Sequence, residues 1–331
     1  MKRFSLSSHA LNVGLAAAVL AGCGGSVHSI DGPAAMPQSF AALSRGDRSG
    51  SSMLKASLIA PEYEATGPLL YVSNYTYNNS VTVYHANAGD PTPIATILRG
   101  LNSPAGNCLD GQGTLYVANE PASGPGWVSE YPLGKTTPST VITDGINTAA
   151  FCAIDSKGNL WVTNIGGPNA TEYLYGSTKP HTVITKGLSY PVGVAIDHSG
   201  DLYVANRLSS GGNVVIYAPG SKTPSKRITA GVTSPVGIAI DANGTLYIEN
   251  VTENNVEEYR SGRDHPFKTV TQGISVPVAV TVNKKGWLFV ANLEKSTVVE
   301  FAPGSSRPSR RQISKGLHAP AGLANFPAVL P

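Results

Sequence analysis

The chain has 331 residues, of which 14% are charged, and its formal net charge is only +3. No block of Lys or Arg stands out, so we expect no nucleic-acid partner. Residues 68–331 alone are enough for one large hydrophobic core.

The N-terminus is typical of an export signal. Lys2 and Arg3 supply a positive start, and Leu11 to Leu20 is an apolar stretch too short to remain in a bilayer as a spanning helix. It ends in Leu-Ala-Gly-Cys at residues 20–23, which resembles the bacterial lipobox, and this resemblance implies cleavage before Cys23 and lipidation of its thiol. We predict a signal peptide over 1–22 and a lipid anchor at Cys23. An ordinary secretory signal with an incidental cysteine is the alternative.

Residues 23–67 are dominated by Gly, Ser, Ala and Pro and show no sustained apolar period. Such a segment buries too little apolar surface to offset the entropy of ordering it. We predict a flexible tether that holds the rest of the chain at the cell envelope, on the outer membrane or facing the periplasm in a Gram-negative cell.

From residue 68 onward the chain repeats itself. One five-residue string recurs six times at intervals of 42–45 residues: LYVSN 70–74, LYVAN 115–119, LWVTN 160–164, LYVAN 202–206, LYIEN 246–250 and LFVAN 288–292. A second string, such as GLSYPVGVAID from Gly187, precedes each of the last five copies. Its sixth copy, GLHAPAGLANF from Gly316, has no partner after it.

Each repeat predicts four short strands, a to d, because the runs are rich in Val, Ile, Thr and Tyr and are bounded by Gly, Pro, Asn and Asp. Four-stranded units of this period are typical of β-propeller blades. Six copies of strand a match six of strand b only if the last strand, within 318–326, completes the first blade. We predict an all-β, six-bladed β-propeller of four-stranded antiparallel blades over 68–331, closed by its C-terminal strand.

The pattern around PVGVAID and LYVAN, residues 191–206, resembles the NHL repeat and the wider gluconolactonase and streptogramin-lyase propeller superfamily, and the resemblance covers residues 69–326. In gluconolactonase-like propellers, metal-binding Asn and Asp follow the Pro of strand a. The equivalent residues here are Ala105, Ala150, Val192, Val236, Val278 and Ala321, which cannot bind a metal.

The streptogramin-lyase resemblance implies a catalytic His on the channel-facing strands. Four histidines of the mature domain fall elsewhere, on strands c and d or the adjoining turns: His85, His181, His198 and His265. Only His318 lies in a d-to-a loop, and it has no recognisable acidic partner. We therefore predict no catalytic residue, no metal site and no cofactor.

Two polar positions recur in every blade or nearly so. Asn ends each strand b, and Asp or Asn stands five residues before each of the last five copies of strand b, with Gly three residues further on. A residue needed at the same place in each blade most simply solves a local backbone problem, here the start of a turn. A ligand ring and a calcium loop are the alternatives, but the further acidic ligands of a calcium loop are missing.

Positions that differ between blades indicate function better. In propellers of this type the d-to-a and b-to-c loops share one face, which we call the mouth face. Glu249 is unusual because the other blades have Ser, Ala or Thr at its position, and a carboxylate there needs a partner or a wet channel. An ion pair or a solvated rim residue is its structural interpretation. The residues predicted to bind a ligand are Glu249, Arg207, Glu253, His318, Tyr190 and Tyr75; the b-to-c loops also carry Glu120, Glu294 and Lys295.

Cys108 and Cys152 are the two thiols that remain after Cys23. They lie one residue out of register on strand a of adjacent blades, so they can face each other across the gap between blades. A disulfide in an oxidising compartment and two buried free thiols both fit the sequence.

These features favour an exported, lipid-anchored propeller that acts as a non-catalytic binding or scaffolding module. We expect a monomer that contacts the membrane only through its anchor and binds a protein, peptide or carbohydrate at the mouth face. A lactonase-like or lyase-like hydrolase with a non-standard site in the channel is the alternative, and a structural surface protein without a small ligand is a third possibility.

Overall fold

A computed structural model describes residues 63–75, 79–86, 89–209 and 211–329. The predicted signal peptide, Cys23 and the tether up to residue 62 lie outside the described residues. Within those ranges the chain is all-β and forms 24 strands. No helix in the described part of the chain could cross a membrane.

The strands form six four-stranded sheets, one for each predicted blade. Blade 1 contains β1 (Leu69–Asn74), β2 (Ser80–His85), β3 (Ala95–Ile97) and β24 (Pro320–Phe326). Blade 2 contains β4 (Pro104–Leu109), β5 (Leu115–Asn119), β6 (Trp127–Tyr131) and β7 (Thr140–Ile142). Blade 3 contains β8 (Ala149–Ile154), β9 (Leu160–Asn164), β10 (Asn169–Tyr173) and β11 (Pro180–Ile184).

The other three blades repeat the arrangement. Blade 4 contains β12 (Pro191–Ile196), β13 (Leu202–Leu208), β14 (Gly211–Tyr217) and β15 (Lys226–Ile228). Blade 5 contains β16 (Pro235–Ile240), β17 (Leu246–Asn250), β18 (Asn255–Tyr259) and β19 (Lys268–Val270). Blade 6 contains β20 (Pro277–Val282), β21 (Leu288–Asn292), β22 (Thr297–Phe301) and β23 (Pro308–Ile313).

The C-terminal strand closes the ring, as the repeat count predicts. Strand β24 pairs antiparallel with β1, from Leu69 opposite Phe326 to Ser73 opposite Gly322. Sheet order in blade 1 is therefore β24-β1-β2-β3, with the last strand of the chain innermost. The first and last strands of the domain are held in one sheet, so β1 does not present an unpaired inner edge.

Apolar side chains fill the gaps between blades. One buried cluster combines Leu69, Tyr71 and Val83 of blade 1 with Leu115 and Val117 of blade 2, and equivalent clusters join other neighbouring blades. A single blade has two apolar faces and cannot bury both alone, whereas stacking around a ring buries both. This is why the repeats fold only as a closed set.

Glycines at the third position of the inner strands let neighbouring blades approach closely near the axis. A Cβ atom on Gly193 would lie 2.2 Å from the backbone oxygen of Val236, and one on Gly322 would lie 2.3 Å from that of Ala105. A larger residue there would push the inner strands apart, because real Cβ atoms essentially never come so close. The narrow inner ring therefore depends on these glycines.

The a-to-b turns have the structure that the Asp spacing predicts. The Oδ1 atom of Asp110 accepts hydrogen bonds from the backbone N–H groups of Gln112 and Thr114, at 2.9 and 2.8 Å. Gly113 completes the turn at a φ of 88°, which glycine adopts without strain. The same turn recurs at Asp155, Asp197, Asp241 and Asn283. These side-chain oxygens therefore serve the backbone.

Candidate functional site

The d-to-a and b-to-c loops lie together on one face, as the sequence predicts for the mouth face. The residue after each strand-b Asn donates its backbone N–H to the carbonyl of the residue just before strand a: Tyr75 to Ala319, Glu120 to Ser103, Ile165 to Thr148, Arg207 to Tyr190, Val251 to Ser234 and Leu293 to Val276, at 3.0–3.1 Å. The a-to-b and c-to-d turns form the opposite face.

The six Asn side chains that end strand b hold these loops in place. The Oδ1 atom of Asn74 accepts the backbone N–H of His318 at 2.8 Å, and that of Asn119 accepts the N–H of Asn102 at 2.9 Å. Four further bonds of this kind complete the set, from Asn147, Ser189, Thr233 and Ser275 to the Asn of their own blade. All six Asn residues are buried, so this ring is structural and leaves the ligand contacts to other residues.

A cluster of aromatic and charged side chains occupies part of the mouth face. It consists of Tyr75 of blade 1, Glu120 of blade 2, and Tyr190 and Arg207 of blade 4, and we call it the mouth cluster. The Tyr75 hydroxyl donates a hydrogen bond to the Glu120 carboxyl, and Tyr190 is electrostatically coupled to both Glu120 and Tyr75. The cluster therefore combines groups from three blades of the ring.

Glu120 is the chemically distinctive member. Its residue is only 6% exposed, and Tyr75 beside it is 9% exposed. Burial raises the pKa of the Glu120 carboxyl to about 7, against the hydrogen bond from Tyr75, which lowers it. Near neutral pH this carboxyl is thus divided between its neutral and charged forms, so it can either donate or only accept hydrogen bonds.

Arg207 and Tyr190 form the partly exposed side of the cluster. The guanidinium carbon of Arg207 lies 6.0 Å from the centroid of the Tyr190 ring, a cation–π contact. Burial raises the pKa of Tyr190, the charge of Glu120 raises it further, and Arg207 opposes both. A flat aromatic ring beside a cation and a carboxyl can stack on a sugar or an aromatic side chain and bind its polar groups.

The remaining predicted ligand contacts are distributed around the same face or buried below it. Glu253 is exposed and accepts a hydrogen bond from the Ser234 hydroxyl at 2.8 Å. His318 is exposed in the last d-to-a loop. Neither residue interacts electrostatically with the mouth cluster. Of the predicted ligand contacts, the cluster therefore contains Tyr75, Tyr190 and Arg207 but not Glu253 or His318.

Glu249 lies inside the protein between blades 5 and 6. The residue has 0% exposure, and a Cβ atom on Gly237 would lie 2.3 Å from its Oε2 atom. Neither carboxylate oxygen has a hydrogen-bond partner of normal geometry among the described residues. Burial raises the pKa of Glu249 well above its ordinary value, against a smaller lowering by the Gly237 backbone, so the neutral acid is favoured.

The equivalent position in two other blades is also polar, but its hydroxyl is bonded there. Ser73 accepts a hydrogen bond from Asn107 of the next blade at 2.8 Å, and Thr163 bonds to the backbone of Phe151 and Val192. The carboxyl of Glu249 instead lies beside Gly237, which faces backbone atoms of Ala279 and Val280 on the inner strand of blade 6, and it has no side-chain hydrogen-bond partner among the described residues. A ligand resting on the mouth surface would not reach it without local rearrangement.

The two remaining cysteines form a disulfide in this structure. Cys108 on β4 and Cys152 on β8 have Sγ atoms 2.15 Å apart and Cα atoms 5.7 Å apart. The bond joins the inner strands of blades 2 and 3 and lies beside the central channel.

The sequence did not place Glu120 among the predicted ligand contacts. Glu120 directly follows the strand-b Asn, at the position that Tyr75 and Arg207 occupy in their blades, and both of those were predicted ligand contacts. Comparing this slot across the six blades gives Tyr75, Glu120, Ile165, Arg207, Val251 and Leu293. The mixture of aromatic, acidic and basic residues at this one ring of positions is the sequence signal that points to Glu120.

Comparison with known proteins supports the architecture alone. No protein-family model and no curated protein matches the chain. Among solved structures, a chain of a nidogen/laminin complex aligns with a TM-score of 0.66 and 16% identity over 78% of this chain and 98% of that one. A protein of unknown function from Bacteroides caccae aligns with a TM-score of 0.63 and 10% identity over 78% and 99%. The protein is a six-bladed β-propeller, a fold compatible with a binding or scaffolding module.

Described residues offer no group of three or more His, Cys, Asp or Glu side chains arranged to hold a metal ion. The strand-a positions that carry metal ligands in gluconolactonase-like propellers are apolar and buried here: Ala105, Ala150, Val192, Val236, Val278 and Ala321.

Proposed function

We propose that the protein is an exported, lipid-anchored binding module of the cell envelope whose mouth face binds a protein, peptide or carbohydrate. The mouth cluster carries this proposal, because Tyr75, Tyr190, Arg207 and Glu120 bring aromatic surface and both charges together on one face. Tyr and Arg are also the residues that most often dominate binding energy in interfaces.

Export and anchoring are supported by the N-terminal sequence. The positive start, the short apolar stretch and Leu-Ala-Gly-Cys at 20–23 agree with a lipoprotein signal. The strand-a and strand-b pattern supports a relation to NHL-repeat propellers. A structural neighbour from a complex between two proteins is consistent with a propeller that binds a macromolecule.

The test uses the full-length protein in detergent against peptide and glycan arrays and against cell-envelope extract. The double variant Tyr75→Ala/Arg207→Ala should lose a ligand that the wild type retains. The matched control is Tyr175→Ala/Arg263→Ala, which removes one exposed Tyr and one exposed Arg from the opposite face. The mouth face is the wrong surface if the mouth variant still binds each ligand of the wild type. Loss of binding in the control variant would then point to the opposite face.

The hydrolase alternative draws on one observation. A carboxyl whose pKa is about 7, as at Glu120, suits a general acid or base at neutral pH. Under this alternative, a panel of lactones would be hydrolysed by the wild type, and Glu120→Gln would abolish the turnover without unfolding the protein. Binding without turnover in both proteins would favour the binding module.

A further inference from the structure

A cavity of about 140 Å³ lies on the propeller axis, away from the mouth cluster. It is lined by the second half of each inner strand, from Asn107 in blade 2 to Asn325 in blade 1, and by Ala328 and Val329 beyond the last strand. Inner strands run from the mouth face to the a-to-b turns, so these residues belong to the opposite end of the channel. A cavity of this size can hold a benzene ring.

The lining is polar on one side only. Asn107, Thr281 and Asn325 are the side chains with hydrogen-bonding oxygens among the described lining residues. They come from blades 2, 6 and 1, which are consecutive around the ring. The wall formed by blades 4 and 5 is aliphatic: Val194, Ala195, Ile196, Ile238, Ala239 and Ile240.

In both Asn side chains the amide nitrogen is hydrogen-bonded and the amide oxygen is not. Asn107 donates from Nδ2 to Ser73 at 2.8 Å, and Asn325 donates from Nδ2 to Thr281 at 3.3 Å. The Oδ1 atom of each has no hydrogen-bond partner, although each residue is only 5% exposed. An unpaired buried acceptor is costly, so a hydrogen-bond donor that reaches either oxygen is stabilised there. Neither oxygen is accessible from the cavity in this structure, so the amide must turn towards the channel to accept such a bond.

The lining also excludes ions. The described residues around the cavity include no Asp, Glu, Lys, Arg or His. A charged ligand would lose its hydration there without gaining a counter-charge. A neutral molecule would place its apolar body against the aliphatic wall and its donor group towards the polar side of the channel.

From this geometry we propose that the channel is a second binding site, independent of the mouth cluster, for a neutral, phenol-sized molecule with an apolar ring and one or two hydrogen-bond donors. Binding turns the amide of Asn325, which lies beside the partly exposed Thr281, towards the channel, and the hydroxyl of the ligand bonds to its Oδ1 atom. Its ring contacts the aliphatic wall of blades 4 and 5.

The first test needs no variant. Full-length protein is titrated with phenol and, separately, with toluene, which has a similar shape but no donor, and binding is followed by ligand-observed NMR and calorimetry. Phenol should bind saturably and about tenfold more tightly than toluene, the ratio that one additional hydrogen bond gives. No saturable binding of phenol means that the cavity does not hold such a ligand, and equal binding of the two means that no hydrogen bond selects it; either result overturns the proposal.

Variants then locate the site. Asn325→Leu should reduce phenol affinity to the level of toluene, whereas Ile240→Val, on the opposite wall, should change both affinities alike. Ala239→Leu fills the cavity and should abolish both. Tyr75→Ala/Arg207→Ala should leave phenol binding unchanged, which separates this site from the proposed mouth-face function. Phenol binding that survives in a folded Ala239→Leu variant, or disappears with the mouth cluster, contradicts the assignment.

Discussion

Glu120→Gln tests the electrostatics of the mouth cluster because it replaces the carboxyl with an amide of nearly the same shape. The folded protein holds the Glu120 proton up to a pH of about 7, while the unfolded chain releases it near the ordinary value of 4.5. The folded state therefore binds more protons in this window, so the free energy of unfolding falls as pH rises from about 4.5 to about 7. At about 1.4 kcal/mol for each unit of pKa, the loss is about 3 kcal/mol.

Glutamine cannot titrate, so Glu120→Gln should gain about 3 kcal/mol relative to wild type between pH 4.5 and 7. Urea unfolding of both proteins, followed by tryptophan fluorescence at intervals of half a pH unit, measures the difference. Other buried carboxyls are present in both proteins and cancel. Glu253→Gln is the control, because that carboxyl lies exposed on the same face and should show no such gain. A difference between Glu120→Gln and wild type that stays constant with pH would refute the placement of Glu120 in a dry cluster.

Three further outcomes follow from the fold. Deleting residues 316–331 removes β24 and six residue pairs with β1, a loss comparable to the stability of a whole domain, so size-exclusion chromatography should show aggregates and no folded monomer. Glu249→Gln should become progressively more stable than wild type above pH 4.5, because burial raises the carboxyl pKa; parallel urea-denaturation profiles would contradict this. Alkylation of unfolded, unreduced protein should leave Cys108 and Cys152 unmodified; alkylation of both would overturn the disulfide. Replacing both by Ala should lower the free energy of unfolding by about 4 kcal/mol, because the disulfide closes a loop of 44 residues.

The fold was predictable because the same sequence pattern recurs six times. Each copy carries a Gly-bounded turn, an apolar strand and a terminal Asn, and an orphan copy from Gly316 shows how the ring closes. The Asn and Asp repeats were also predictable as backbone supports. Asp110 confirms the predicted turn, because it accepts hydrogen bonds from N–H groups of that turn. The partner of the Asn was not predicted, because the Oδ1 atom of Asn74 accepts the N–H of His318 in the d-to-a loop.

The sites were less predictable, since they depend on contacts between blades. Nothing in the linear sequence indicates that Tyr75 and Tyr190, from blades 1 and 4, are coupled through Glu120 of blade 2. Glu249 was expected to lie at a ligand surface, but its position is buried in all six blades, including Ser73 and Thr163. The sequence shows the carboxylate and does not show that this position faces the gap between blades.

The slot after the strand-b Asn explains how a symmetric ring obtains an asymmetric surface. Its backbone N–H makes the same hydrogen bond in all six blades, whichever side chain it carries. The hydrogen bond itself therefore does not restrict the side chain, and the slot holds Tyr, Glu, Ile, Arg, Val and Leu in turn. Positions of this kind can change ligand preference at small cost in stability. Exchanging the partly exposed Arg207 should thus alter binding more than stability, whereas Glu120, buried against Tyr75, affects both.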